Sequence, residues 1–168
     1  MNYRHYHYVG PPEILKASRL QPAGTRIGNP GALKEWLDSE PTEHTEYKTR
    51  IATFVIDLDG DLYLAPRRSE HVACASGGPV LSAGEITINN DLVVVEITNQ
   101  STGFCPEPES WQAVAAALDR IGLKHPGRFT TEMLFRLCPA CGEINIVKDS
   151  WFVCVMCNGI LPETWNFH

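Results

Sequence analysis

Four cysteines near the C-terminus have the spacing of a metal site. They form two C-x-x-C pairs, Cys138 with Cys141 and Cys154 with Cys157, and twelve residues separate the pairs. Zinc accepts four thiolates in a tetrahedron. The sequence therefore predicts a zinc ribbon in which the intervening segment forms a strand, a turn at residues 148–150 and a second strand. Because thiolates fill every position, none stays open for water or substrate, and the predicted Zn2+ is structural.

Two disulfides or an iron site are the alternatives to zinc, and the oxidation state of the cysteines decides between a metal site and disulfides. The N-terminal sequence "MNYRHYHYVGPP" contains no apolar core of a secretory signal. Reduced cysteines in a cytoplasmic protein are therefore predicted, and reduced cysteines favour the metal. Gly142 and Gly159 follow the two pairs, at positions where a positive φ is often required.

A second group of residues with chemical potential lies in the middle of the chain. His71 and Glu85 flank a glycine-rich passage, and Ser101 begins a loop further along. In one interpretation the loops 71–85 and 101–106 enclose an active site, with His71 as general base and Glu85 as acid or orienting group. The three side chains are thus the catalytic candidates for an enzyme.

Two further cysteines in this region, Cys74 and Cys105, allow several interpretations. Either could be the nucleophile of such an enzyme, or both could join His71 in a second metal site. Structural roles are the simpler interpretation, since free cysteines are among the most buried residues. In that case His71 makes a core hydrogen bond and the glycines turn the chain.

Three segments have the composition of helices. The first is "PPEILKAS", residues 11–18, and the second is "NPGALKEWLDSEP", which Asn29 can cap and Pro30 can begin. The third, "SWQAVAAALDRIGL", repeats apolar residues at helical spacing between a cap at Ser110 and a stop at Gly122. The apolar stripe of this third helix is expected to be a core face rather than a binding groove.

Strands are predicted from apolar runs that are bounded by turns. Residues 51–66 are expected to form a hairpin that turns at Asp59-Gly60, and residues 85–98 form a second hairpin that turns at residues 89–91. The segment "YHYV" near the N-terminus predicts a short strand. A last strand, "MLFRLC", runs directly into the first cysteine pair.

The predicted fold class is α+β, a mainly antiparallel sheet with two or three helices and a C-terminal four-cysteine zinc ribbon. We expect an α+β domain over residues 1–135, with the ribbon of residues 136–168 packed against it. The polar residues 39–49 are expected to form an exposed loop. Trp165 and Phe167 are expected to pack back on the first domain, and a protein-binding patch is the alternative.

The composition indicates a soluble globular protein, with 43% hydrophobic and 20% charged residues among 168. No apolar run reaches the roughly 20 residues that span a bilayer, so no membrane association is expected. The net charge of −6 disfavours nucleic acid, because nucleic-acid-binding proteins usually display a basic face.

Residues 71–106 contain a spaced set of histidine, small residues and proline, which are His71, Gly77, Gly78, Ala83, Gly84, Ser101 and Pro106. With these residues the region resembles a segment of plant IQ-motif calmodulin-binding proteins, whose pattern is H-S-S-F-x-x-G-G, then A-G, a hairpin and S-G-H-Y-x-P. Gly103 replaces the second histidine of the pattern and Phe104 replaces its tyrosine. A two-histidine site would therefore be half lost, and without a visible IQ helix the resemblance does not imply calmodulin binding.

Four further stretches run through the whole chain: "YVGPPE", "RRSEHVACA", "NQSTGFCPEP" and the CPxCG ribbon closed by "WNF". In these stretches the chain resembles an uncharacterised bacterial family, whose members begin with text similar to the first and close with the last. The resemblance implies a complete bacterial protein and carries no assigned activity.

These observations lead to three hypotheses about function. The favoured hypothesis is a cytoplasmic, non-catalytic binding or adaptor module with structural zinc, directed at another protein. The alternative is an enzyme with an acid–base site at His71 and Glu85. A second alternative is nucleic-acid binding through the ribbon, which the acidic balance disfavours.

Overall fold

The computed structural model describes residues 2–40 and 48–168. These residues have the predicted α+β fold, with one five-stranded and one two-stranded sheet, and all strand pairs are antiparallel. The loop predicted over residues 39–49 falls mostly outside the described residues. None of the helices in the described ranges has the length and apolar content to cross a membrane.

The predicted helices and both predicted hairpins are present. The strands of the large sheet are β1 (Thr25–Ile27), β2 (Thr49–Ile56), β3 (Leu62–Pro66), β4 (Ser82–Asn89) and β5 (Val94–Ile97). The helices are α1 (Pro12–Ser18), α2 (Pro30–Ser39), α3 (His71–Cys74) and α4 (Trp111–Ile121), with a 3-10 turn at Pro108–Ser110. The strand order is β1-β3-β2-β4-β5. The short helix α3 was not predicted.

In each hairpin of the large sheet, the side chain of the first turn residue accepts hydrogen bonds from the backbone of the turn. Asp57 Oδ1 accepts the N–H groups two and four residues later, at 3.0 and 2.8 Å. Asn89 Oδ1 likewise accepts the N–H groups two and four residues later, both at 3.0 Å. Such a side chain satisfies backbone donors that a tight turn leaves free, and it therefore fixes the register of the hairpin.

Helices α2 and α4 cover one face of the large sheet and build the main core. Asn29 caps α2 as predicted, accepting the N–H of Ala32 at 2.9 Å. Gly122 ends α4 in the left-handed conformation, with a φ of 88°. The predicted cap at Ser110 is wrong. Its backbone is already helical, and its hydroxyl oxygen lies 2.9 Å from that of Ser82 instead of accepting a helix N–H.

The N-terminal segment, α1 and α3 cover the opposite face. The strand predicted at "YHYV" is reduced to one bridge between Tyr6 and Val80. Both residues are fully buried, together with Val55, Ala83 and Phe104. Because both faces are covered, β2 and β4 are nearly continuous buried strands rather than alternating ones.

The two-stranded sheet belongs to the ribbon and consists of β6 (Leu134–Leu137) and β7 (Ile144–Val147). Strand β7 pairs with β6, so the hairpin predicted between the two cysteine pairs is wrong. The predicted turn at residues 148–150 is present. The second cysteine pair has its own hairpin, closed by the bridge between Val153 and Ile160. Each cysteine pair is itself a chain reversal, which brings its own flanking segments together.

The C-terminal tail packs back on the main domain, as predicted for Trp165 and Phe167. The indole N–H of Trp165 donates to the carbonyl of Cys105 at 2.9 Å. Phe167 is 2% exposed and packs in a cluster with Cys105 and Phe135. The two aromatic rings therefore anchor the tail and do not form a free binding patch.

Candidate metal centre

The structure brings the four predicted ligands to one point. Their Sγ atoms all lie within 4.8 Å of one another, and the pairs Cys138–Cys157 and Cys141–Cys154 are 3.6 Å apart. Four sulfurs at about 2.3 Å from a central Zn2+ are separated by about 3.8 Å in a tetrahedron. The sulfur positions therefore suit a four-thiolate metal site.

The two cysteine pairs share one backbone conformation. In each, the N–H of the first cysteine donates to the carbonyl five residues later, at 2.9 Å in the first pair and 2.8 Å in the second. The N–H four residues after the first cysteine donates back to its carbonyl, at 2.9 and 3.0 Å. The residue that donates this second hydrogen bond has a left-handed backbone conformation in both pairs. It is Gly142, with a φ of 78°, in the first pair and Asn158, with a φ of 59°, in the second.

Gly159 has a different role from the predicted one. The left-handed residue of the second turn is Asn158, and Gly159 does not have a positive φ. A Cβ atom at Gly159 would lie 3.2 Å from Cys157 Sγ and 3.4 Å from Cys138 Sγ. Close approach to the sulfurs, rather than backbone conformation, therefore favours glycine here.

Asn145 supports the site from β7 and is 2% exposed. Its Nδ2 donates to Cys154 Sγ at 3.4 Å, and its Oδ1 accepts the N–H of Val155 at 3.0 Å. The N–H of Met156 reaches the same sulfur at 3.4 Å. Donors of this kind orient a ligand and stabilise its negative charge. Asn145 was not predicted, although a lone asparagine in the apolar segment "INIV" is a usable signal.

The thiols of Cys141 and Cys154 differ in how readily they ionise. Burial opposes ionisation of Cys154, but N–H donors from Cys157, Met156 and Asn145 outweigh it and lower its pKa to about 6. At Cys141 the N–H of Glu143 favours the thiolate, yet lost hydration and the neighbouring cysteines raise the pKa to about 12. The charge of a divalent cation at the centre offsets the repulsion between the thiolates, so all four cysteines can be deprotonated together.

The catalytic candidates His71 and Glu85 make separate interactions. His71 begins α3, and its Nε2–H donates to the carbonyl of Gly84 at 3.0 Å. Burial lowers the pKa of His71 despite this hydrogen bond, so the imidazole is neutral at neutral pH. Glu85 lies in β4, with its Oε1 3.8 Å from Nε of Arg67. Neither interaction joins the histidine to the glutamate.

Ser101, the third candidate, is buried in the loop after β5 at 1% exposure. Its Oγ has no hydrogen-bond partner among the described residues. Its carbonyl accepts the N–H of Cys105 at 2.7 Å, so the backbone of Ser101 closes the loop. None of the hydrogen bonds described for Ser101 connects it with His71 or Glu85.

The remaining cysteines are buried thiols. Burial raises the pKa of Cys74 and of Cys105 to about 12. Cys74 Sγ lies 3.8 Å from the carbonyl oxygen of Tyr63, and Cys105 Sγ lies 3.4 Å from that of Thr102. A second metal site made of Cys74, Cys105 and His71 is not formed within the described residues, where the ligand atoms that converge are those of the C-terminal cysteines.

Sequence reasoning also missed a buried ion pair between the ribbon and the main domain. Arg136 in β6 and Glu107 lie 2.7 Å apart, with side chains 3% and 8% exposed. The guanidinium also donates to the carbonyls of Phe135, Pro162 and Glu163. An arginine within the apolar strand "LFRL" is the signal, but its partner lies 29 residues away and has no motif.

No family model, curated protein or solved structure matches this chain in comparisons with known proteins. The resemblances to IQ-motif proteins and to a bacterial family therefore stay predictions. The function proposed below rests on the geometry of the described residues.

Proposed function

We propose that this protein is a non-catalytic binding module whose ribbon, held by one structural Zn2+, presents an apolar surface to another protein. One observation carries the proposal, a set of exposed apolar side chains beside the cysteine site. These residues, called the apolar tip, are Trp151, Val155, Met156 and Ile160, which are 70, 78, 69 and 83% exposed.

The tip residues face outward because the small core of the ribbon is already filled. Exposed Trp151 precedes half-buried Phe152, and exposed Ile160 precedes buried Leu161. This alternation is that of paired strands, whose successive side chains face opposite sides. The inward residues pack on Val147 and the buried cysteines, and the other two tip residues occupy the turn of the second cysteine pair.

The concentration of these side chains distinguishes the tip from the rest of the surface. Of the other large apolar residues exposed in the described chain, Leu20, Leu58 and Val95 lie outside the ribbon, and Ile146 lies in β7 and is only 37% exposed. Single exposed apolar residues are normal, whereas a patch of several marks an interaction surface. Burying one such side chain against a partner contributes about 1.5–3 kcal/mol before the costs of association.

Two further features support a structural metal and a non-catalytic role. Four protein thiolates close the coordination shell, which is typical of structural zinc. In the middle of the chain, the Nε2–H of His71 is engaged by a backbone carbonyl, and the thiols of Cys74 and Cys105 are protonated at neutral pH. A nucleophilic cysteine would instead need a lowered pKa.

The metal part of the proposal is tested by elemental analysis of the purified protein together with intact mass. We expect one zinc per chain and no mass loss from disulfides. Replacing zinc by Co2+ should give the visible spectrum of a tetrahedral thiolate complex, and Cys157→Ser should abolish tight binding. A chain with two disulfides and no metal, or with an open coordination position occupied by water, would contradict the proposal.

The binding part is tested by selecting peptides from a random phage-displayed library on the immobilised zinc protein. We expect enriched peptides that lose binding to the double variant Trp151→Ser/Met156→Ser and keep binding to Leu20→Ser. Leu20 is the matched control, because it is 92% exposed and lies far from the tip in sequence. Absence of any tip-dependent peptide would sink the binding function.

The enzyme and nucleic-acid alternatives are tested on the same preparation. Iodoacetamide should modify Cys74 and Cys105 slowly at neutral pH in the folded protein, and rapid labelling of either would favour a catalytic cysteine. The protein should pass through immobilised DNA at low salt, and salt-sensitive retention would favour nucleic-acid binding instead.

A further inference from the structure

The segment that carries the apolar tip is acidic, and its charge favours one kind of partner. Residues 138–168 are all described, and their exposed charged side chains, apart from His168, are Glu143, Asp149 and Glu163 against Lys148. Two of the four cysteines, Cys141 and Cys157, are exposed as well. Four thiolates on one divalent cation leave two uncompensated negative charges at this surface.

From this charge pattern we infer that the apolar tip binds a protein segment in which one or two apolar anchors are flanked by Lys or Arg side chains. The inference rests on the proposed function and specifies its partner. Apolar anchors account for affinity at the centre of an interface, while charges at the rim set orientation and select between partners. The apolar tip provides the anchors, and the exposed acids of the same segment provide the charges.

The small size of the apolar tip and the negative charge of its segment disfavour a second copy of the chain, nucleic acid or a large globular partner. A second copy of the chain docking tip to tip would bring two segments of the same negative charge together, and like charges across an interface are unfavourable. Nucleic acid carries the same sign of charge. Four side chains in one hairpin also present less surface than the roughly 800 Å2 that each partner buries in a stable globular complex, which favours a short segment.

The arrangement of the tip favours one central anchor. Tryptophan is the residue most enriched at binding hot spots, and methionine adapts to different apolar shapes. Trp151 follows a turn whose residues Asp149 and Ser150 are both left-handed, with φ of 51° and 57°. The N–H of Trp151 is held by the carbonyl of Lys148 at 2.9 Å. The exposed indole therefore follows directly after a hydrogen-bonded turn that contains the charged residues Lys148 and Asp149.

The phage selection described above also tests this inference through the composition of the selected peptides. We expect enrichment of Lys or Arg beside an aromatic or aliphatic residue. A synthetic peptide from the most enriched sequence should bind less tightly as salt rises. Glu143→Gln, Asp149→Asn and Glu163→Gln should each weaken it about two- to fivefold, whereas Glu35→Gln and Glu96→Gln, exposed acids on other elements, should not. Trp151→Ser should weaken it about tenfold or more.

The outcomes separate this inference from the proposed function. Tip-dependent peptides without basic residues, bound equally well at high salt, would overturn the inference and leave the binding function intact. Loss of all tip-dependent peptides would overturn both. Concentration-dependent dimerisation that Trp151→Ser abolishes would replace the basic segment by a second copy of the chain. Circular dichroism and zinc content of every variant should match the parent, which excludes unfolding as the cause of lost binding.

Discussion

Removing the carboxylate of Glu107 should destabilise the whole protein, because it neutralises an arginine buried between the ribbon and the main domain. Arg136 Nη1 lies 2.7 Å from Glu107 Oε1, and almost none of either side chain is exposed. The guanidinium also donates to three backbone carbonyls, two of which belong to the C-terminal tail at Pro162 and Glu163. One side chain thus connects β6, the tail and the loop that contains Glu107.

The size of the effect follows from which groups each substitution leaves unpaired. Glu107→Leu leaves the arginine charged but still bonded to three carbonyls, so we expect the free energy of unfolding to fall by about 3 kcal/mol. Arg136→Met leaves a buried carboxylate and also frees those carbonyls, so we expect a loss of about 4–5 kcal/mol. The double variant has no buried charge, and the unpaired carbonyls alone cost about 2–3 kcal/mol.

Urea unfolding at neutral pH in excess Zn2+, followed by circular dichroism, measures these three losses. Zinc content is determined for each variant, so that metal loss is not mistaken for a lost ion pair. The control is Asp38→Asn, because Asp38 pairs with Lys34 on the surface, with both side chains more than half exposed. That exposed pair is expected to contribute little.

The reasoning is refuted if the losses of Glu107→Leu and Arg136→Met add up in the double variant. Additivity would mean that the two side chains do not act as a pair. A Glu107→Leu variant as stable as the parent would also refute it, since the arginine would then tolerate burial without a counter-charge.

Three further predictions concern the histidine, a glycine and the second layer of the metal site. Burial lowers the pKa of His71 in the folded protein below the ordinary histidine value of about 6.5. Below pH 6.5 the unfolded chain therefore binds more protons than the folded protein does. Stability should therefore be complete above that pH and fall below it, and His71→Gln should flatten this part of a melting-temperature profile; parallel profiles would contradict the assignment. Gly84→Ala would place a Cβ atom 1.9 Å from the carbonyl oxygen of Thr98 and should cost about 3 kcal/mol or more in urea unfolding. Gly78→Ala, whose Cβ would meet its nearest atom at 3.4 Å, is the control and should cost much less; equal losses would count against the steric argument. Asn145→Ala removes the Nδ2–H donor to Cys154 Sγ and should weaken zinc binding about 10- to 100-fold in competition with a coloured chelator; unchanged affinity would show that this hydrogen bond does not tune the site.

Local patterns in the sequence were sufficient for the parts of the fold that depend on neighbours along the chain. Asn29 followed by Pro30 predicts the start of α2, and its cap forms at 2.9 Å. Turn residues between apolar runs predict both hairpins, since Asp57 and Asn89 close their turns with groups two and four residues away. Cysteine spacing predicts the ligands for the same reason, because each C-x-x-C turn is a local structure.

Local patterns were not sufficient for the catalytic candidates in the middle of the chain. His71, Glu85 and Ser101 are polar residues among glycines, a pattern that suits both an active site and a structural loop. The structure engages the histidine with the carbonyl of Gly84, a group thirteen residues away that has no side chain to mark it. A sequence pattern records residue types and does not record which backbone groups they reach.

The sequence by itself determined the four candidate ligands, the α+β class and the two hairpins of the large sheet, because the turns and the cysteine pairs depend on residues close together in the chain. Only the tertiary structure decided that β7 pairs with β6, that Glu107 meets Arg136, and that Trp151 faces outward while Phe152 faces inward. These outcomes depend on which surfaces of distant segments fill the same space. Burial is shared between segments, so no single stretch of sequence specifies it.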